Sequence, residues 1–406
     1  MTTVRPGRRR AASLLEQVGR YEAVALVLQG GGALGAYQCG VYEGLHEAGI
    51  RPTWLAGISI GAINAALIAG NAPEDRVPAL RDFWATICEP ANPLLAMPAL
   101  AVRTTMELLP QHPELEAWAG QLSALAAVAQ GQRGFFSARP MPPSAFSDGQ
   151  PHATSFYDTA ALRETLLRLV DFGRINHDSA VRLTVGATDI ASGNFRYFDS
   201  REVAIGPEHV MASGALPPGL PAVEIDGRWY WDGGLVSNTP LEHILDQFPR
   251  QDTLAFQVDL WSARGELPQT MPDVLERMKD IQYSSRTRHG TDMVARTQRL
   301  RTALADLIER LPGKRVPPEL EGALAPWLDD RVFNIVHLIY QAKPHEAQHK
   351  AYAFGQRAMH DHWDSGRRDT AMTLDNPDFF DLPDRACGYA VHDVHRKADK
   401  AQVPRR

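Results

Sequence analysis

Apolar positions along the chain change period from one segment to the next. Ala23-Val24-Ala25-Leu26-Val27-Leu28 is an unbroken apolar run, closed by Gly30, Gly31 and Gly32. That pattern predicts a strand buried on both faces of a parallel sheet. From Gly35 to Ala48 the apolar positions Ala36, Cys39, Val41 and Leu45 recur at helical spacing, and Gly49 stands where a C-cap glycine belongs. A second strand, Trp54-Leu55-Ala56, runs into Gly57, and Ala62 to Ala69 reads as a buried helix. This strand-helix-strand-helix succession predicts an α/β fold with a doubly wound sheet.

Further along, the punctuation changes. From Glu89 to about Pro151 prolines interrupt Ala/Leu-rich helical pieces such as Leu122 to Ala129, which predicts an inserted helical cap with a loop, about 89–152. A helix capped near Asp158 or Thr159 follows. The strand Arg182 to Ala187 comes next, with its partner Asn194 to Phe198 across the turn Ala191-Ser192-Gly193. Trp229-Tyr230-Trp231 reads as a strand end that delivers Asp232 into the turn Gly233-Gly234. Leu254 to Leu260 and Val332 to Tyr340 supply later strands, and Pro272 to Leu311 a long charged amphipathic helix. The expected organisation is a flexible basic N-terminus (1–21), a main α/β domain (22–265), a mostly helical extension (266–390) and a basic tail (391–406).

With 406 residues, 44% of them hydrophobic, the chain can fill one large core with an appendage. A net charge of -6 argues against nucleic acid as partner, since phosphate binding needs a basic surface. Only the ends are basic: Arg5, Arg8, Arg9 and Arg10 at one, Arg396, Lys397, Lys400, Arg405 and Arg406 at the other. Ala11 to Glu22 is too polar for a signal-peptide core. No run approaches the roughly 18 apolar residues that would span a bilayer, so contact with a membrane or lipid granule is expected to be peripheral. Cys39, Cys88 and Cys387 are odd in number and scattered, which fits reduced thiols in a cytoplasm. The oligomeric state is not legible.

The chemistry concentrates in three places. Gly57-Ile58-Ser59-Ile60-Gly61 is a G-x-S-x-G turn between a strand and an apolar helix, where Gly57 and Gly61 tolerate crowding and the serine hydroxyl is exposed. Gly30-Gly31-Gly32-Ala33-Leu34-Gly35 lies between strand and helix, so that backbone N–H groups of Gly30, Gly31, Gly32, Ala33 and Gly35 converge on one negative oxygen, as an oxyanion hole requires. The same loop satisfies the dinucleotide fingerprint G-x-G-x-x-G, but the second strand ends in Gly57-Ile58-Ser59 instead of the acidic residue that would take a ribose. Asp232, fixed in a turn with Gly233 and Gly234, is the candidate base. No downstream histidine, His177, His209 and His243 included, sits in a comparable glycine turn, and the serine comes too early in the chain for the α/β-hydrolase order. Burial beside Trp229 and Trp231 would raise the basicity of Asp232.

Together with Ala212-Ser213-Gly214-Ala215-Leu216-Pro217, these elements resemble the patatin-like phospholipase family in content, order and spacing from about Val24 to Pro240. Tyr157-Asp158-Thr159 opening a helix, and Thr188-Asp189 ending a strand, also look like that family. The resemblance implies a three-layer α/β/α fold with a mainly parallel sheet and a Ser-Asp dyad acyl hydrolase without cofactor or metal, Ser59 being the nucleophile and Asp232 the base. Two positions depart from many relatives: Leu34 stands where they have Arg or Lys, and Gln29 where some have an acid. The acyl donor therefore stays open between phospholipid, neutral lipid, hydroxyacyl polyester and thioester. Leu94, Leu95, Leu100, Leu122, Leu125, Phe135 and Phe136 offer apolar surface for acyl chains or for the core.

Two other classes compete. Pro344-His345-Glu346-Ala347-Gln348-His349 contains H-E-x-x-H, a zinc motif when helical, with His360, Asp361 and His362 as further ligands. Pro344 suits a first helical position and no glutamate follows Glu346 as a distant third ligand, so surface histidines are the favoured reading. A catalytically silent lipid-binding scaffold would use the cap and the long amphipathic helix, and intact Ser59 and Asp232 speak against it.

Overall fold

The computed structural model describes residues 13–89, 129–178, 180–310, 318–324, 327–328, 330–343 and 350–395. A nine-stranded sheet organises them. Its central strand β1 (Ala23–Leu28) is flanked in parallel by β2 (Trp54–Gly57) and β10 (Thr253–Asp259). β6 (Arg182–Asp189) continues the parallel order beyond β2, and β11 (Phe333–Ile339) and β12 (Tyr389–Asp393) continue it beyond β10.

The unbroken apolar run of β1 is explained by its two covered faces. Leu26 and Leu28 pack into the larger core with Tyr37, Val41, Ile63 and Trp363. Ala25 and Val27 alternate onto the other face, under Leu241, Ile244 and Leu245 of α6 (Leu241–Asp246). The larger face carries α1 (Gly35–Glu47), α2 (Ile60–Ala69), α3 (Arg76–Ile87) and α8 (Gln356–Leu374). The layers are therefore helix, sheet and helix.

Antiparallel strands complete one end. β7 (Phe195–Asp199) pairs with one edge of β6, from Thr184↔Asp199 to Thr188↔Phe195. On its other edge β6 pairs first with β2, up to Gly57↔Val185, and then with β9 (Arg228–Asp232), starting at Ala187↔Asp232. β9 thus takes over the place that β2 vacates when it stops, and β8 (Val223–Ile225) pairs antiparallel with β9 as the ninth strand.

The C-terminal region is mostly helical but is built into the same sheet. α7 (Met271–Glu309) opens on a capping box between Thr270 and Asp273. α8 crosses α1 at very short range: a Cβ on Gly40 would lie 1.9 Å from the Trp363 carbonyl oxygen, and one on Gly366 2.1 Å from that of Tyr37. Residues 389–393, expected partly in the last helical stretch and partly in the tail, form the edge strand β12. A five-residue strand on a sheet edge, with one apolar neighbour to pair on, leaves little periodic signal.

The insertion also differs from its helical expectation where it is described. β3 (Gly131–Gln132), β4 (Phe136–Ala138) and β5 (Tyr157–Asp158) form a small antiparallel sheet, and α4 (Ala160–Leu169) follows from the N-cap Thr159. Gly134, at φ 67°, supplies the turn between the first two strands, and Gly131, at φ 86°, opens the first of them. Phe135 packs inward against Phe83, Phe136 and Phe354, so it serves the core. Leu94, Leu95, Leu100, Leu122 and Leu125 lie outside the described residues.

Candidate active site

The site forms where β1 and β2 end. Ser59 leaves β2 at φ 56° and ψ -125° and becomes the N-cap of α2. A positive φ at a non-glycine residue costs about 1–3 kcal/mol, a strain that the surroundings must hold. They do so by close packing. A Cβ on Gly57 would meet the Gly61 carbonyl oxygen at 2.3 Å, and one on Gly61 would meet the Leu28 carbonyl oxygen at 2.2 Å. Both glycines of the pentapeptide are thus required by backbone contact.

One short segment fixes both members of the expected dyad. The Ser59 amide donates to the carbonyl oxygen of Ser213 at 3.1 Å and to its Oγ at 3.0 Å, at the end of α5 (Pro207–Ser213). The Ser213 hydroxyl in turn donates to the Gly186 carbonyl oxygen at 2.7 Å. Two residues later, the Ala215 carbonyl oxygen accepts from the Asp232 amide at 3.0 Å. The sequence marks the stretch from Ala212 to Pro217 but not the separate roles of Ser213 and Ala215, which arise only from tertiary contact.

Asp232 is 3% exposed. Its Oδ1 accepts from the Gly234 amide at 2.7 Å, and the nearby Ser59 hydroxyl favours its charged form. Burial outweighs both and pushes the carboxyl from 3.8 up to about 7. The source of that burial differs from expectation. Along β9 the alternation puts Tyr230 and Asp232 on the covered side, while Trp229 is exposed and Trp231 half-buried. The core on the Tyr230 side desolvates Asp232, and the tryptophans lie opposite. Gly233 is also demanded by proximity, since a Cβ there would approach the Gly186 carbonyl oxygen to 2.6 Å.

The glycine loop lies against the serine: a Cβ on Gly30 would come within 3.1 Å of Ser59 Cβ. Gly32 to Leu34 make a single 3-10 turn, with Gly32 at φ 58°, that runs straight into α1. Among the described residues none accepts a hydrogen bond from the Gly31, Gly32 or Ala33 amide, whereas two expected donors are engaged elsewhere: the Gly30 amide is turned toward the Asn238 carbonyl oxygen at 3.3 Å, and the Gly35 amide closes the 3-10 turn on the Gly32 carbonyl oxygen. Leu34 is fully buried in the core, so its side chain has no part in the loop's polar face. Gln29 is buried and fixed too, its Oε1 accepting from the Leu260 amide at 2.7 Å and its Nε2 donating to Thr239 at 3.0 Å. Asn238, which donates to the Gly30 carbonyl oxygen at 2.9 Å, was not singled out from the sequence. Its place six residues after Asp232 was the available signal.

His345, Glu346 and His349 lie outside the described residues. Of the further ligands considered with them, His362 is buried with Nδ1 3.4 Å from the Ala33 carbonyl oxygen, and Asp361 faces Lys343 at 3.8 Å. Among the described residues no three His, Cys, Asp or Glu side chains gather to hold a metal ion, and no helix is long and apolar enough to cross a membrane.

A strained serine between a parallel strand and a helix, beside a buried aspartate and a glycine loop, defines an α/β protein with its candidate site at the strand ends. The family model described as patatin-like phospholipase matches residues 26–245, more than half of the chain, and a second, described as patatin phospholipase, matches residues 281–386. The chain belongs to the patatin-like phospholipase family. The lysophospholipase nte1 of Aspergillus terreus is 54% identical over 50 residues, a stretch that spans 12% of this chain and 3% of that protein. Among solved structures, VipD from Legionella pneumophila is similar at 15% identity and TM-score 0.37, covering 87% of this chain and 67% of that one. Full-length ExoU with SpcU, from the type III secretion system of Pseudomonas aeruginosa, is similar at 17% identity and TM-score 0.27, covering 75% and 60%.

Proposed function

We propose that the protein is a serine acyl hydrolase that cleaves carboxylic esters of lipids through an acyl-enzyme on Ser59. The observation that carries this reading is the pairing of a strained, half-buried serine with an aspartate raised to about 7 by burial. A carboxylate with that proton affinity is a competent general base near neutral pH, where an ordinary one is too weak.

In this reading Asp232 takes the Ser59 proton as Oγ attacks the ester carbonyl. The N–H groups of Gly31, Gly32 and Ala33 receive the oxyanion, and the positive end of α2 adds to its stabilisation. Asp232 then gives the proton to the departing alcohol and later activates the water that frees the acyl group. Exposed Leu235 and Val236, directly after Gly234, offer apolar surface at the rim for an acyl chain. This favours a lipid ester over a polar one, and it fits peripheral contact with a lipid surface.

An ester panel of graded acyl length, run on wild type, Ser59→Ala, Asp232→Asn and Glu346→Gln, tests the proposal. Hydrolysis should vanish in the first two variants and persist in the third. Activity that survives Ser59→Ala and is lost in Glu346→Gln would move the chemistry to the H-E-x-x-H segment.

A further inference from the structure

The Gly30 carbonyl oxygen is held by two side chains, Asn238 Nδ2 at 2.9 Å and the indole Nε1 of Trp261 at 2.8 Å. In a trans peptide the carbonyl and the following N–H lie on opposite edges of one plane. Fixing Gly30 O from that side therefore fixes the Gly31 N–H on the other edge of the same peptide, next to Gly30, where a Cβ would lie 3.1 Å from Ser59 Cβ.

Trp261 is itself clamped. It is 4% exposed, and its ring lies 5.0 Å from that of Tyr283 and 5.4 Å from the Lys350 ammonium. Lys350, equally buried, is neutralised by Glu276 at 2.9 Å and Asp280 at 2.8 Å, both on α7. Buried charge at this position is tolerated only because it is paired. The next residue, Ala351, packs its carbonyl oxygen against the loop, 2.3 Å from where a Cβ on Gly32 would sit. The glycine loop is thus gripped at Gly30 through Trp261 and at Gly32 through Ala351, and both grips are anchored in the C-terminal region.

We infer that Trp261 is a positioning residue for the oxyanion hole, and that the C-terminal region acts on the reaction by holding Trp261 through Lys350. The inference rests on the Ser59–Asp232 reading. It makes the region after β10 part of the catalytic apparatus. Its effect falls on the transition state, because the Gly31 N–H meets full negative charge only there.

The test replaces Trp261 in the full chain by Phe, and separately by 3-benzothienylalanine, which keeps the indole shape and lacks the donor. For a p-nitrophenyl ester, kcat should fall roughly tenfold, the scale of one lost hydrogen bond, with KM within about twofold. A trifluoromethyl ketone, which forms a tetrahedral oxyanion on the serine, should lose affinity by the same factor. The acid limb of the pH profile should not move, since Asp232 is untouched. Unchanged kcat and ketone affinity in the benzothienylalanine protein, or a loss confined to KM, overturns the positioning role alone. Failure of wild type to take a fluorophosphonate at Ser59 overturns the dyad, and this inference with it.

Discussion

Gly57 and Asp232 occupy successive places along the same edge of β6: Gly57 pairs with Val185 at the end of β2, and Asp232 with Ala187 at the end of β9. The two strands arrive from opposite directions, so their ends face each other across a gap of one residue of β6. Ser59, just past Gly57, is brought to Asp232 by sheet register, and the segment from Ser213 to Ala215 ties the two backbones together.

The first consequence is a pH profile. The proposed base must be ionised, and burial holds Asp232 at about 7. We expect kcat/KM for a neutral ester to fall below about pH 7, tenfold per unit, whereas an ordinary carboxylate would keep the rate flat to about pH 4. A rate flat from pH 8 to 5 would remove Asp232 as the base.

Stability should respond in the opposite sense. The folded pKa lies above the ordinary 3.8, so the folded protein binds this proton more tightly than the unfolded chain does. Its contribution is intact below about pH 4 and lost progressively as pH rises to about 7, by up to about 4 kcal/mol. Asp232→Asn keeps the shape without the buried charge. Its Tm should exceed that of wild type at pH 8, with the gap closing toward pH 5; a variant less stable than wild type at pH 8 would contradict this.

The seam between α1 and α8 gives a third test. In an isolated helix Gly40→Ala would gain about 1 kcal/mol of propensity. Here its Cβ would stand 1.9 Å from the Trp363 carbonyl oxygen, a contact that only backbone movement relieves. Overpacking of this kind costs about 1–3 kcal/mol or more and should win. The midpoint of denaturant unfolding should fall; a midpoint equal to or above wild type would show that the helices separate without cost.

What the sequence made legible follows from range. The elbow at Ser59, the glycine loop and the Asp-Gly-Gly turn are local patterns in which glycines announce crowding, and all three meet at one end of the sheet. The small-residue seam of Gly40 and Gly366 was invisible because each glycine reads locally as a weak helix position. Trp261 gave no signal, and Asn238 none beyond its place six residues after Asp232, because each side chain bonds one carbonyl oxygen more than 200 residues away in the chain. The tryptophans flanking Asp232 misled for a related reason: strand alternation places neighbours on opposite faces, so Trp229 and Trp231 do not bury it.

The most direct measurement is fluorophosphonate labelling of the full chain, with the adduct located by mass spectrometry. We expect one adduct on Ser59, none in Ser59→Ala, and labelling slowed by at least about a hundredfold in Asp232→Asn, the scale of a lost general base. An adduct on another residue, or ester hydrolysis undiminished in Ser59→Ala, would contradict the dyad.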